Sequence, residues 1–237
     1  MNNENNEFRV MTSGAFTAAH LALIPEVEKL TGLKVVTAST SIGTGDMSIP
    51  NRLARGEVVD IVIVATSVQQ GFMEQGLTEK AGAMTVAKSS IAFAVKEGAP
   101  KPEISTVDAL RRMLLDAASV GYSASESGKY FTGELLQRLG IAEQVLPKSR
   151  LIGGGERVGT LIARGELETG LQQISELLPI KGIAHITPLP SEVQKVSSFT
   201  AAVASTSPHK DIARRVIAFL ASSQASPTIR ATGLDPV

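Results

Sequence analysis

Along most of the chain, short apolar runs typical of strands alternate with segments whose apolar residues have helical spacing. Short apolar runs at residues 8–12, 33–38 and 60–65 predict strands, and the segments between them, 15–30 and 48–55, have apolar residues at helical spacing. A helix at 68–75 and a strand at 89–96 follow. This β-α-β-α-β order is typical of a parallel sheet covered by helices.

The same alternation resumes after the proline-containing turn at residues 98–102. The pattern predicts strands at 120–123, 149–152, 170–174, 183–187 and 199–205, and helices at 107–118, 128–139, 156–163, 210–221 and 225–232. No low-complexity linker separates the halves. We expect one lobe from residues 1–86 and 197–237, a second from 87–196, and two crossing segments as the hinge.

A short motif occurs twice and supports two similar units. Ala54-Arg55-Gly56-Glu57 precedes one apolar strand, and Ala163-Arg164-Gly165-Glu166 precedes another. Glycine suits the end of a helix because it adopts left-handed backbone angles without strain. The fold class we expect is therefore α/β, with two lobes, each a mostly parallel sheet flanked by helices, and a ligand cleft between them.

Four loops of small polar residues stand at strand ends or helix starts, at residues 12–14, 39–44, 123–129 and 153–158. In open α/β sheets, ligands bind outside the carboxyl ends of strands, where helix N-termini offer unpaired N–H groups. Serine and glycine also cap helices and fill turns in any such fold. No loop carries a P-loop or a dinucleotide fingerprint, so the four loops together favour a small anion.

The candidate ligand-binding residues lie mostly in these loops. They are Ser13, Gly14, Ser41, Thr44, Ser125, Ser127, Lys129, Arg157, Val158, Gln172 and Gln173. Lys129 and Arg157 could neutralise a carboxylate. Two amides in an apolar strand are costly to bury unpaired, so we expect one of Gln172 and Gln173 to face the ligand. For acid-base chemistry the candidates are Glu126, Glu156 and His20.

Composition narrows the choice of partners. Lys plus Arg equals Asp plus Glu at 23 each, so no overall field attracts nucleic acid. Cysteine is absent, and the three histidines are scattered without carboxylates at metal-ligand spacing. We therefore expect no metal, no cofactor and no nucleic acid, but a small anionic ligand.

The first residues, Met1 to Glu7, are polar and acidic, without the basic and apolar regions of an export signal. The expected location is periplasmic if this is a mature sequence whose signal was removed, and cytoplasmic otherwise. No segment reaches the ~18 apolar residues of a membrane span, so we expect no membrane insertion. A monomer is the default expectation for a hinged binding protein.

These loops, in this order, resemble the molybdate-binding branch of the type II periplasmic solute-binding proteins. The similarity runs from residues 9–14 through 49–57 to the closing Gly233-Leu234-Asp235-Pro236. It implies two α/β lobes that hold an oxyanion with hydroxyl and backbone N–H groups. By this resemblance Ser13 and either Ser41 or Thr44 would donate from side chains, and the Ser125 region and Val158 from the backbone.

The chain departs from the molybdate binders at one place of the expected site. They have a tyrosine in the strand where this chain has Gln172-Gln173, and their third loop contains a proline. The same branch includes aconitate isomerase, which residues 172–179 and 188–194 resemble. The favoured function is the anion-binding component of an ABC-type importer, with a permease as partner, and the alternative is a cofactor-independent isomerase of a tricarboxylic acid. A third possible function is that of a cytoplasmic sensor, which keeps the binding cleft without transport.

Overall fold

The structure is a computed structural model that describes residues 6–43, 45–153 and 155–237. The chain divides into two compact units, each described by itself below. Unit 1 runs up to Lys88 and resumes from Ser197 to Val237, and unit 2 is Ser89–Val196.

The strands in chain order are β1 (Glu7–Thr12), β2 (Lys34–Ser39), β3 (Ile61–Ala65), β4 (Met84–Lys96), β5 (Val120–Ser123), β6 (Ser149–Ile152), β7 (Thr169–Gln173), β8 (Ile183–Pro188), β9 (Val196–Val203) and β10 (Asp235–Pro236). The helices are α1 (Gly14–Ala22), α2 (Ile24–Thr31), α3 (Ile49–Ala54), α4 (Thr66–Glu74), α5 (Val107–Asp116), α6 (Glu126–Tyr130), α7 (Leu136–Arg138), α8 (Ala142–Val145), α9 (Val158–Arg164), α10 (Ile174–Leu177), α11 (Lys210–Leu220) and α12 (Ser226–Ala231).

Unit 1 is built on a parallel sheet with antiparallel additions. β1 lies between β2 and β3 and is parallel to both, β9 pairs antiparallel with β3, and β10 pairs with the first part of β4. One face of this sheet buries Phe8 and Val10 of β1 against Phe16 of α1 and Val216 of α11. The parallel strands place the carboxyl ends of β1, β2 and β3 at one edge, where the first two polar loops begin.

Unit 2 repeats this arrangement with its own core. β5 lies between β6 and β7 and is parallel to both, while β4 pairs antiparallel with β7 and β8. Phe93 of β4 and Phe131 pack with Leu110 of α5 on one face. The carboxyl ends of β5, β6 and β7 meet at one edge of this sheet, which brings the ends of β5 and β6 to the same edge as Gln173.

Several predicted elements have different bounds. Residues 15–30 form two helices that are separated at Leu23. Pro25, in the first turn of α2, has no N–H with which to continue the hydrogen bonds of α1. The strand predicted at 89–96 begins at Met84, and the helix predicted at 128–139 begins at Glu126 and contains a π-helical turn, Phe131–Leu135. The other elements shift by a few residues at their ends.

The glycines of the repeated motif confirm the prediction about helix ends. Gly56 and Gly165 have left-handed backbone angles, with φ of 73° and 77°. Gly165 is the C-cap residue of α9, and Gly56 follows the C-cap residue of α3, Arg55. Each turn leads towards a buried strand, β3 or β7. The two copies of the motif therefore perform the same structural role in the two units.

Candidate functional site

Ser13 stands where β1 ends and α1 begins. Its backbone N–H donates to the carbonyl of Ile63 on β3 at 2.8 Å, and its own carbonyl accepts from Thr17 Oγ1 at 3.0 Å. Ser13 is the N-cap residue of α1, yet its Oγ is buried and makes no hydrogen bond. Gly14 follows as the first helical residue. The hydroxyl is thus left available at the start of a helix, where backbone N–H groups favour an anion.

The second loop of unit 1 is held by serine side chains. Ser39 Oγ donates to the carbonyl of Met47 at 3.1 Å, and the exposed Ser41 accepts from the backbone N–H of Gly43 at 3.3 Å. Ser48, the N-cap residue of α3, has a buried Oγ without a partner. Thr44, the alternative to Ser41 in the sequence analysis, lies outside the described residues.

In unit 2, three serine hydroxyls form a chain after β5. Ser123 Oγ lies 2.8 Å from Ser125 Oγ, which lies 3.2 Å from Ser127 Oγ. Gly128 makes this loop possible, because a Cβ at that position would stand 1.7 Å from the carbonyl oxygen of Ser123. The close approach of α6 to β5 therefore depends on the missing side chain at position 128.

Unit 2 also contains the two predicted cationic residues: Lys129 follows the three serines, and Arg157 precedes α9. Lys129 Nζ is 3.9 Å from Glu126 Oε1, and its side chain is 63% exposed. Arg157 is exposed and precedes the first residue of α9, Val158, which is fully buried. Gly170 of β7 lets Val158 pack closely, since a Cβ there would stand 2.5 Å from Val158 Cγ1. Arg157 is thus the N-cap residue of α9, whereas Lys129 lies in the last turn of the short helix α6.

The two glutamines at the end of β7 differ in their surroundings although both are buried. Gln172 Oε1 makes no hydrogen bond, whereas Gln173 is engaged and serves as the N-cap residue of α10. Ser175, two residues further, also has a buried Oγ without a partner. Unsatisfied buried polar atoms are rare in folded proteins, and each calls for an explanation.

Glu176 is a functional candidate that the sequence analysis missed. The backbone N–H of Gln173 donates to its carboxylate, while Oε2 is buried and unpartnered. Burial raises the pKa of Glu176 to about 7, against the opposing effects of Arg157 and of the Gln173 N–H. The available signal was local: a glutamate three residues after an N-cap position typically folds back onto the helix start. The burial of Oε2 was not visible in the sequence.

The three acid-base candidates from the sequence have different partners. Glu156 accepts from Arg164 Nη1 at 2.9 Å, and Glu126 faces Lys129. His20 of α1 is buried, with Nε2 2.8 Å from Thr37 Oγ1 on β2. Burial lowers the pKa of His20 to about 4, so its imidazole is neutral at pH 7.

The fold defines a class of protein. Each unit has a mixed sheet, with small-residue loops at the carboxyl ends of its parallel strands, as in the two-lobed type II periplasmic binding proteins. The chain belongs to the bacterial extracellular solute-binding proteins, whose family model matches residues 8–235. This membership agrees with the resemblance to solute-binding proteins noted in the sequence.

One curated relative is similar to this chain in sequence, and two solved structures are similar to it in fold. The chain is 38% identical over 229 residues to an aconitate isomerase from Pseudomonas sp., covering 96% of this chain and 87% of the relative. The periplasmic molybdate-binding protein of Azotobacter vinelandii superposes with a TM-score of 0.74 at 15% identity, covering 96% of this chain and 98% of the other. The sulfate-binding protein SubI from Mycobacterium tuberculosis H37Rv gives 0.76 at 19% identity, covering 98% and 87%. These structures establish the fold.

Among the described residues, no helix has the length and apolar character needed to cross a membrane.

Proposed function

We propose that this protein binds a small polycarboxylate anion and isomerises it, moving the carbon–carbon double bond of a tricarboxylic acid without a cofactor. The observation that carries the proposal is the 38% identity to an aconitate isomerase across 96% of the chain. Similarity that extends over nearly the whole length involves both units, and therefore all four polar loops.

The side chains of unit 2 suit carboxylates better than a compact oxyanion. Arg157 can bind a carboxylate with two parallel hydrogen bonds, and Lys129 adds a second positive charge at the same sheet edge. Gln172 has an amide with both donors and an acceptor in place of the tyrosine of the molybdate binders. These groups match a ligand with several separate carboxylates.

The serine hydroxyls support anion binding in either case. Ser13 has a buried hydroxyl without a partner, and the chain of Ser123, Ser125 and Ser127 offers further donors. Hydroxyl and backbone N–H donors stabilise negative charge, including the charge that develops on a carboxylate when a neighbouring carbon loses its proton. We propose Ser13, Gly14 and Ser41 as ligand contacts in unit 1, and Ser125, Ser127, Lys129, Arg157, Val158 and Gln172 in unit 2.

A second candidate function is the binding component of an ABC-type importer. The family model for extracellular solute-binding proteins, which matches residues 8–235, favours it. In that case the protein binds its anion without changing it and delivers it to a permease. Proton transfer to carbon distinguishes the two functions, because only the isomerase performs it.

The experiment combines binding with turnover on the purified protein. Melting temperatures are measured with cis-aconitate, trans-aconitate, citrate, molybdate, tungstate, sulfate and phosphate, since a ligand that binds the folded state raises the melting temperature. In parallel, cis-aconitate and trans-aconitate are incubated separately with the protein in buffered D₂O and followed by proton NMR. We expect a shift with the tricarboxylates and interconversion of the two isomers.

Two results would contradict the proposal. A shift with molybdate, tungstate or sulfate alone, without interconversion, would identify an oxyanion-binding protein. A shift with a tricarboxylate, again without interconversion, would favour transport of that acid over isomerisation.

A further inference from the structure

Buried oxygen atoms without partners are concentrated at the end of β7. Among the described residues, six buried side-chain atoms lack a hydrogen bond, and three of these belong to Gln172, Ser175 and Glu176. We call Gln172 Oε1, Ser175 Oγ and Glu176 Oε2 the β7–α10 oxygens. They lie within five consecutive residues at the carboxyl end of a parallel strand, the position where α/β proteins bind ligands.

Helix capping explains only part of this arrangement. Glu176 is the third residue of α10, and the backbone N–H of the N-cap residue Gln173 donates to its carboxylate, as in a capping box. Oε2 has no such partner. Leaving a buried acceptor unsatisfied destabilises the folded state, and more so when the group is charged. The second oxygen of Glu176 is therefore not accounted for by the stability of the fold.

The charges around Glu176 allow it to exchange a proton near neutral pH. Burial raises its pKa to about 7, and Arg157 opposes that effect by favouring the charged form. The strands that pack most closely against α10 are β7, which has no ionisable side chain, and β8, whose His185 is exposed. A general base works best when its pKa lies near the operating pH.

We propose that Glu176 is the residue that removes and returns the proton during isomerisation, an inference that rests on the proposed function. The Glu176 carboxylate takes a proton from the methylene carbon next to the double bond. The electron pair of that C–H bond spreads over the three-carbon unit and its carboxylates. The Glu176 carboxylic acid then returns the proton to the far carbon of this unit, and the double bond has moved.

This cycle balances without any further reactant. One C–H bond breaks and another forms, the carboxylate of Glu176 is regenerated, and no electron enters or leaves. Arg157, whose charge acts on Glu176, is placed to hold a substrate carboxylate and to stabilise the negative charge of the intermediate. Ser175 Oγ, also unpartnered, provides a further donor.

The other glutamates of unit 2 are less suited to this role. Glu156 is engaged by Arg164 at 2.9 Å, with 43% of its side chain exposed. Glu126 faces the ammonium group of Lys129. Neither has a buried oxygen left without a partner among the described residues. Glu176 differs from both in that its free oxygen is shielded from water.

The test uses Glu176→Gln, which keeps the size of the side chain and the capping bond to Gln173, because glutamine also serves in a capping box. Glu143→Gln is the matched control, since Glu143 is an exposed glutamate in the first turn of α8, also in unit 2. Each protein is assayed for the cis-aconitate-induced rise in melting temperature and for the rate of isomerisation by NMR between pH 5.5 and 9.

We expect Glu176→Gln to keep the ligand-induced shift and to lose isomerisation by at least ~100-fold, the range for a general base. Glu143→Gln should match the wild type. Should Glu176→Gln not fold, Glu176→Asp replaces it, with an expected loss of at least ~10-fold because its carboxylate is one methylene further from the substrate.

Other outcomes separate this inference from the proposed function. If the wild type isomerises and Glu176→Gln keeps its rate within a few-fold with the same pH profile, the role of Glu176 is refuted and the proposed function stands. If Glu176→Gln loses the ligand-induced shift together with the rate, Glu176 is a binding residue and the inference is likewise overturned. If the wild type does not isomerise either acid, both are refuted.

Discussion

Replacing Gly128 by alanine tests whether the serine loop of unit 2 requires the observed close approach. The added Cβ would stand 1.7 Å from the carbonyl oxygen of Ser123. Reaching even 3.0 Å requires a movement of about 1.3 Å by backbone atoms, which cannot rotate away as a flexible side chain can. Overpacking of this kind costs about 3 kcal/mol.

The matched control is Gly133→Ala, five residues further along the same helical segment. Gly133 is exposed and a Cβ there meets nothing within 4 Å. Alanine should stabilise the protein at this position by about 0.4–1 kcal/mol, because it restricts the unfolded chain. The same chemical change should therefore have opposite signs at two neighbouring positions.

The assay is thermal unfolding of both variants with and without cis-aconitate. A change of 1 kcal/mol shifts the melting temperature by about 2–4 °C in a chain of this size, so Gly128→Ala should melt about 6–12 °C lower. It should also show a smaller ligand-induced shift, because Ser125 and Ser127 move with the loop. A Gly128→Ala variant as stable as the wild type, with an unchanged ligand response, would refute the reasoning.

Three further predictions concern Ser13, His20 and Lys129. Ser13→Ala should leave the free energy of unfolding within about 0.5 kcal/mol, since its hydroxyl makes no bond in the protein, but should weaken cis-aconitate binding several-fold by calorimetry; unchanged affinity would remove Ser13 from the site. For His20, the folded-state pKa of about 4 lies below the ordinary 6.5, so the unfolded chain binds the proton first and stability is lost as the pH falls from 6.5 towards 4. Urea unfolding at pH 7 and pH 5 should show that the wild type loses about 2 kcal/mol more than His20→Gln, and equal losses would contradict the burial of a neutral imidazole. Lys129→Ala should lower the affinity for cis-aconitate several-fold with little change in stability, because its side chain is 63% exposed and pairs only at 3.9 Å, and a wild-type response would indicate a solvated lysine.

The sequence by itself determined the order of most strands and helices in both units, because the apolar period reflects which face of an element is buried. It also located Gly56 and Gly165 at helix ends, since glycine adopts left-handed angles without strain. It did not detect the break at Leu23, where Pro25 ends α1 although the apolar period continues.

The sequence predicted only part of the candidate site. Small-residue loops at strand ends directed attention to Ser13 and Ser125, because the carboxyl ends of parallel strands share one edge of a sheet. Only the tertiary structure decided that Gln172 has an unpartnered oxygen, that His20 faces Thr37, and that Glu176 Oε2 is buried and the pKa of its carboxyl raised. Burial and hydrogen-bond partners depend on elements that are distant in sequence and packed together in space, and the local pattern of residues does not contain that information.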